Sequence, residues 1–258
     1  MGCPPAGAER LPRDDVLEAM TAVRETWEVL PHGPVTVLDD GILTVTGRIP
    51  LPLVELERRM TVVRLADGST VIYSAVALDE EAMRQIEALG PPRYLVVPGD
   101  AHRLDAKIYK ERYPHLRVLT PPGARDRVEK VVPVDATEVD FGDPDVTWHV
   151  VAGSGGHEAA LLVRRASGTT ILLSDLIGNL RRKGGFEGWM LHVMGFGNNA
   201  PVVPIVERLL MVESKAQLRR QFLDWAAIPD LRRIIMSHGK PIEHGAAQAL
   251  RDLAGALN

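Results

Sequence analysis

Apolar and polar positions along this chain switch repeatedly between a period of two and a period near 3.6, and the switches mark out its elements. Asp14 or Asp15 caps a predicted helix through about Val29, which Pro31, Gly33 and Pro34 stop. The β-branched run 42–46 reads as a strand between Gly41 and Gly47. Runs 60–65 and 70–73 flank Ala66-Asp67-Gly68-Ser69, a hairpin signal because Asp-Gly tolerates the positive φ of a tight turn. A helix is predicted over 79–89, opened by Asp79, Glu80 and Glu81 and closed by Gly90-Pro91-Pro92. Further on, 94–97 and 117–119 read as strands, and 104–113 and 123–130 as helices.

The second half repeats this loosely. Strands are predicted at 146–151, 159–164 and 169–173, separated by turns at 153–156 and at Ser167-Gly168. A long loop with six glycines is expected from Gly178 to Gly197. Residues 214–227 predict a helix with Leu218, Phe222 and Trp225 on one face, followed by a strand at 233–236 and a closing helix at 246–257. Strands, then strand–helix alternation, then strands, then strand–helix suits two sheets packed face to face with helices outside. A doubly wound sheet is the alternative. With no short repeat and no linker, one domain over 13–258 is expected behind a flexible Pro/Gly/Ala-rich tail, residues 1–12.

Composition narrows the function classes. A net charge of −4 leaves no basic footprint, and Arg181-Arg182-Lys183 is too short a run to argue for nucleic acid. Cys3 is the single cysteine, so neither an intrachain disulfide nor a cysteine zinc site is available. No apolar h-region follows the N-terminus and no apolar run has the length of a membrane span, so a cytoplasmic protein with no membrane partner is expected.

Three apolar strands run into loops that carry polar residues the strand does not need: Gly99-Asp100-Ala101-His102-Arg103-Leu104-Asp105, Ser174-Asp175 and Ser237-His238-Gly239. Loops at strand ends are where α/β proteins place their sites. A fourth segment, Gly153-Ser154-Gly155-Gly156-His157-Glu158, is a glycine-rich turn. Imidazole with carboxylate suits Zn, Fe or Mn, and a bound ion would furnish hydroxide near neutral pH. Each residue also has a structural explanation: Asp105 as an acid in a first helical turn, Asp100 as a turn former, His102 and His238 as backbone-bonded turn histidines. Ser154 lacks the Gly-x-Ser-x-Gly pattern of a nucleophile elbow, and no Lys-Ser/Thr follows to make a phosphate loop. Trp189, Met190 and Phe196 form a lid, pack on the core, or make a dimer contact.

From Met60 to His238 these pieces, in this order, resemble the metallo-β-lactamase superfamily in a branch with a degenerate metal motif. The resemblance implies an α/β, four-layer αββα sandwich. The 100–105 segment takes the place of the family's His-x-His-x-Asp-His motif, the 153–157 turn that of the Gly-His loop, Asp175 that of the bridging Asp and His238 that of the last His. Asp100, Leu104 and Asp105 depart from the motif, Tyr73 replaces a strand-end Asp, and His157 falls about two residues late. The implied ligands are His102, Asp175 and His238, then Asp100, Asp105 and His157, with Asp175 and His238 doubling as catalytic residues. They would hold one divalent ion, zinc first and Fe or Mn next, or none. Two readings follow: a metal-dependent hydrolase of a small ester, lactone or thioester, using metal-activated water, or a non-catalytic descendant that has lost its metal and acts in binding or interaction. A small-molecule substrate and a homodimer are the expected partners.

Overall fold

A computed structural model describes residues 23–50, 55–180, 184–193, 195 and 200–257. A six-stranded sheet forms first. β1 (Thr36–Asp39), β2 (Ile42–Pro50), β3 (Glu55–Arg64) and β4 (Thr70–Tyr73) make an antiparallel meander. Helix α1 (Glu80–Leu89) then crosses over to β5 (Pro92–Val96), and α2 (Ala106–Arg112) to β6 (Arg117–Leu119), both strands parallel to β4. A 3₁₀ turn, Pro122–Ala124, leads into the short α3 (Arg125–Glu129). The second sheet contains β7 (Val146–Val150), β8 (Ala159–Arg165), β9 (Gly168–Leu172) and β11 (Leu231–Ile235) in the order β11-β9-β8-β7, with only β11 and β9 parallel. A third, minimal sheet pairs β10 (Gly178–Asn179) with β12 (His238–Gly239).

Three apolar clusters lie between four layers, as the alternation predicts. Met60, Val62, Ile72 and Leu95 face Met83, Ile86, Ile108 and Tyr109 of the first helical layer. Ile42, Val71, Tyr94 and Leu119 meet Leu161, Val163, Leu172 and Ile235 between the sheets. Ala160, Ile171 and Ile234 pack on α6 (Lys215–Ala226) and α7 (Ala246–Gly255) through Leu218, Phe222, Leu250 and Leu253. This is the expected αββα sandwich. Each buried Leu, Ile or Phe contributes ~1.5–3 kcal/mol over its exposed state.

Local signals hold where they rest on caps and turns. Asp79 accepts from the Ala82 N–H at 2.8 Å, and Ser214 from the Gln217 N–H at 3.4 Å. The Asp67-Gly68 hairpin closes with Gly68 at φ +86°. Other expectations need correction. Residues 23–29 are not helical, and the rest of the predicted 14–29 helix, like the tail 1–12, lies outside the described residues. Long-range bonds hold this stretch in place: the Trp27 indole donates to the Leu78 carbonyl at 2.9 Å, its ring packs on Tyr109, and the Arg24 N–H donates to the Leu104 carbonyl. The 178–197 segment is not all loop: it contains β10 and α4 (Gly185–Val193), and α5 (Ile205–Leu210) follows.

Gly153 is where a turn needs glycine. Its φ is +83°, and a Cβ there would lie 2.4 Å from the Ser214 carbonyl oxygen and 2.6 Å from the Leu218 nitrogen, at the start of α6. Gly153→Ala is expected to destabilise the chain by well over ~1 kcal/mol, read as a lowered urea midpoint; an unchanged midpoint would show that α6 does not depend on this close approach.

Candidate metal centre

Four strands deliver the site at one edge of the sandwich. β4 ends at Tyr73 and hands on Ser74; β5 leads through Pro98 and Gly99 to His102; β9 leads through Leu173 to Ser174-Asp175; β11 leads through Met236 to Ser237-His238. Because β4 and β5 run parallel, as do β9 and β11, their C-terminal ends share this edge. The Ser237 N–H donates to the Ser174 carbonyl at 3.4 Å, tying the last two loops together. Gly239, φ +96°, lets β12 lie against β10, since a Cβ there would meet the Asn179 oxygen at 2.2 Å.

His102, Asp175 and His238 converge, with one potential ligand atom from each lying within 4.8 Å of the others. All three are buried. Asp175 Oδ1 stands 2.9 Å from His102 Nε2 and 3.0 Å from His238 Nε2. Behind the rings, His102 Nδ1 is 2.7 Å from the Ser74 hydroxyl, and His238 Nδ1 is 2.7 Å from the Glu57 carbonyl, to which it donates. Fixing one ring nitrogen this way selects which nitrogen faces the centre, as in proteins that orient ligand histidines. Ser74 has φ +59°, the one positive φ among described non-glycine residues. That conformation is strained, and such strain gathers at functional positions.

The charges follow from the geometry. Burial opposes ionisation of Asp175, but His102 and His238 outweigh it and hold its carboxyl well below the usual carboxylate range. Burial likewise opposes the His238 cation, yet the Asp175 carboxylate and the Glu57 carbonyl raise its pKa. The three side chains would suit a single divalent ion: with each Nδ1 held from behind, both Nε2 atoms, once deprotonated, and the Asp175 carboxylate would face it. Without an ion, the same atoms satisfy one another as a His–Asp–His hydrogen-bonded cluster.

The remaining sequence candidates lie apart from this triad. Asp100 is buried, 3.1 Å from His157 Nδ1 and 3.7 Å from Arg127 Nε, so these two candidates pair with each other. Asp105, fully buried, takes the Arg58 guanidinium and lies 3.4 Å from Arg24 Nε and 3.3 Å from the Ala77 nitrogen. It stands at the N-cap position of α2 without capping it; the buried cation Arg58 explains its charge. Leu104 is buried and apolar, and Tyr73 donates its hydroxyl to the Ala159 carbonyl at 2.7 Å. Arg181-Arg182-Lys183 and Phe196 lie outside the described residues, and Trp189 is exposed on α4.

Sequence reasoning passed over Ser74 and Glu158. Ser74 carries no motif; its signal is the abrupt polar residue between Tyr73 and Ala75. Glu158 stood beside His157 as the first residue before an apolar strand, and it is completely buried. Burial and the nearby Asp175 charge push its carboxyl up to about 8.

This edge-on site and the four layers around it define the fold as that of the metallo-β-lactamases. A metallo-β-lactamase from Erythrobacter litoralis, solved with β-mercaptoethanol in its active site, superposes with a TM-score of 0.58 at 17% identity, covering 89% of this chain and 100% of that one. The DIM-1 metallo-β-lactamase exposed to ceftazidime gives 0.60 at 11% identity, over 90% and 100%. The mono-zinc form of FIM-1 from Pseudomonas aeruginosa gives 0.55 at 14%, over 90% and 98%. No family model and no curated protein matches the chain in sequence. Within the shared fold, this chain keeps a partial, three-residue metal triad.

Two outcomes follow. Asp105→Ala strands the Arg58 charge and is expected to cost about 3–5 kcal/mol in urea unfolding; a near-neutral change would mean that the pair is dispensable. Glu158 keeps its proton to about pH 8 when folded, but loses it near ~4.3 when unfolded. The folded state therefore binds more protons between those values, and stability falls as pH rises across the window. Glu158→Gln abolishes this titration, so the variant is expected to gain on the wild type between about pH 5 and about pH 8. Parallel stability curves would contradict a protonated Glu158.

Proposed function

We propose that this chain is a metallo-β-lactamase-fold protein that has left two-ion hydrolysis behind and acts in binding or interaction, with the His102–Asp175–His238 cluster as a structural and recognition centre. The observation that carries this reading is the closure of the surrounding positions. Asp175 Oδ1 already accepts from both imidazoles. Asp100 is committed to His157 and Arg127, Asp105 to Arg58, and Leu104 offers no ligand atom. Buried charges need partners, and these carboxylates already have protein ones. Function resides in the site and not in the fold, so the likeness to β-lactamases does not bring their activity with it.

One observation favours a second reading, a single-ion hydrolase of a small ester, lactone or thioester. Ser74 and Glu57 occupy both Nδ1 atoms and turn both Nε2 atoms toward Asp175. An ion held by His102, Asp175 and His238 would supply Lewis acidity and a water of lowered pKa. The chain's own part would be to keep the two rings fixed through Ser74 and Glu57 and to keep Asp175 ionised.

Elemental analysis of protein purified without a His-tag and without chelator separates the two. The binding reading expects far less than one equivalent of Zn, Fe or Mn, and none retained through gel filtration after Zn is added. About one equivalent, lost in a folded His238→Ala variant, would instead establish the second reading and justify screening esters, lactones and thioesters.

A further inference from the structure

Glu158 precedes β8 and is completely buried, yet no cation partners it among the interactions described for its carboxyl. Its carboxyl oxygens are taken up by one short loop. Oε1 accepts from the Ser174 N–H at 2.6 Å; Oε2 pairs with the Ser174 hydroxyl at 2.7 Å and lies 3.3 Å from the Asp175 nitrogen. Burying a carboxyl in an apolar interior is costly unless its hydrogen bonds are made. Space filling alone calls for an apolar residue here, whereas clasping this loop calls for one acceptor for the Ser174 N–H and a second polar atom for the Ser174 hydroxyl.

The backbone around Glu158 reaches the other site loops. Its bridge to Gly99 and the Ala159 N–H to Pro98 carbonyl bond, 2.8 Å, fix the strand end that leads to His102, whose own N–H donates to the Gly99 carbonyl. The Ser174 carbonyl, on the clasped loop, takes the Ser237 N–H beside His238. All three loops that carry the triad are thus joined at, or one bond beyond, this residue.

We infer that Glu158 is the positioning residue of the triad: its carboxyl clasps the Ser174–Asp175 turn so that Asp175 Oδ1 stays between the Nε2 atoms of His102 and His238. The inference rests on the reading that the triad is the working centre, and it holds whether that centre binds one ion or none. It deepens that reading by naming the group that aims Asp175.

The test is nitrogen-correlated NMR of the imidazole N–H protons in the full chain, treated with chelator so that no ion displaces them. His102→Ala and His238→Ala assign the signals. In the wild type, the Nε2 protons bonded to Asp175 are expected to resonate downfield and exchange slowly. Glu158→Gln, which keeps the length and an acceptor oxygen, is expected to retain them. Glu158→Asp draws the fork back by one methylene, and exchange is expected to quicken by about tenfold or more, the effect of losing a buried hydrogen bond. Glu158→Ala is expected to abolish the signals, with circular dichroism reporting whether the fold survives. If Glu158→Asp lowers the thermal midpoint but leaves both imidazole signals protected as in the wild type, Glu158 is merely structural and the inference fails. A wild type with no protected imidazole N–H at all overturns the triad itself, a separate outcome that removes both readings of the site.

Discussion

A carboxylate cannot stay ionised in a protein interior without partners, and Asp175 is a buried carboxylate. Much of the edge of this sandwich can be understood as the answer to that constraint. Two imidazoles approach the same oxygen, each ring braced from behind, one by a serine in a strained backbone conformation and the other by a main-chain carbonyl. The parallel pairs β4–β5 and β9–β11 bring Ser74, His102, Asp175 and His238 to one side, β3 supplies the Glu57 carbonyl, and the inter-sheet core lies between them. The fold supplies convergence; the local hydrogen bonds supply aim.

The sandwich was legible because it rests on signals that act over a few residues. Strand alternation, the Asp67-Gly68 turn and the helix opening at Asp79 are decided locally, and they reappear in place. The stretch after residue 22 shows the opposite case. Its composition favours a helix, but Trp27 and Arg24 bind groups at Leu78, Leu104 and Asp105, distant in sequence, and those bonds win. The short β10 and β12 carry too few residues to leave any periodic trace, and they exist because Gly239 permits the approach.

The site divided along the same line. His102, Asp175 and His238 were readable because each follows an apolar strand. Their neighbours were readable only as residue types. Asp105 and Asp100 look like ligands in the sequence, yet the cations and the imidazole that claim them come from other segments: Arg58 on β3, Arg127 on α3, and His157 in the glycine-rich turn. Glu158 and Ser74 escaped for the converse reason, since nothing about a glutamate before a strand or a serine after one announces what it will touch. Ion pairs between distant segments are settled by packing and leave no spacing to read.

Gly178 has a double attachment whose consequence reaches beyond the triad. It pairs with His238 on one side and bridges Val202 on the other. Gly178 and Val202, on either side of α4, are therefore tied together beside His238. A segment closed at its base can be lengthened, shortened or exchanged while the strands beneath keep their register, because closing a longer loop costs little extra entropy. Beside its polar centre the architecture thus has a tied base at Gly178 and Val202 between which a change of length would leave the scaffold in place.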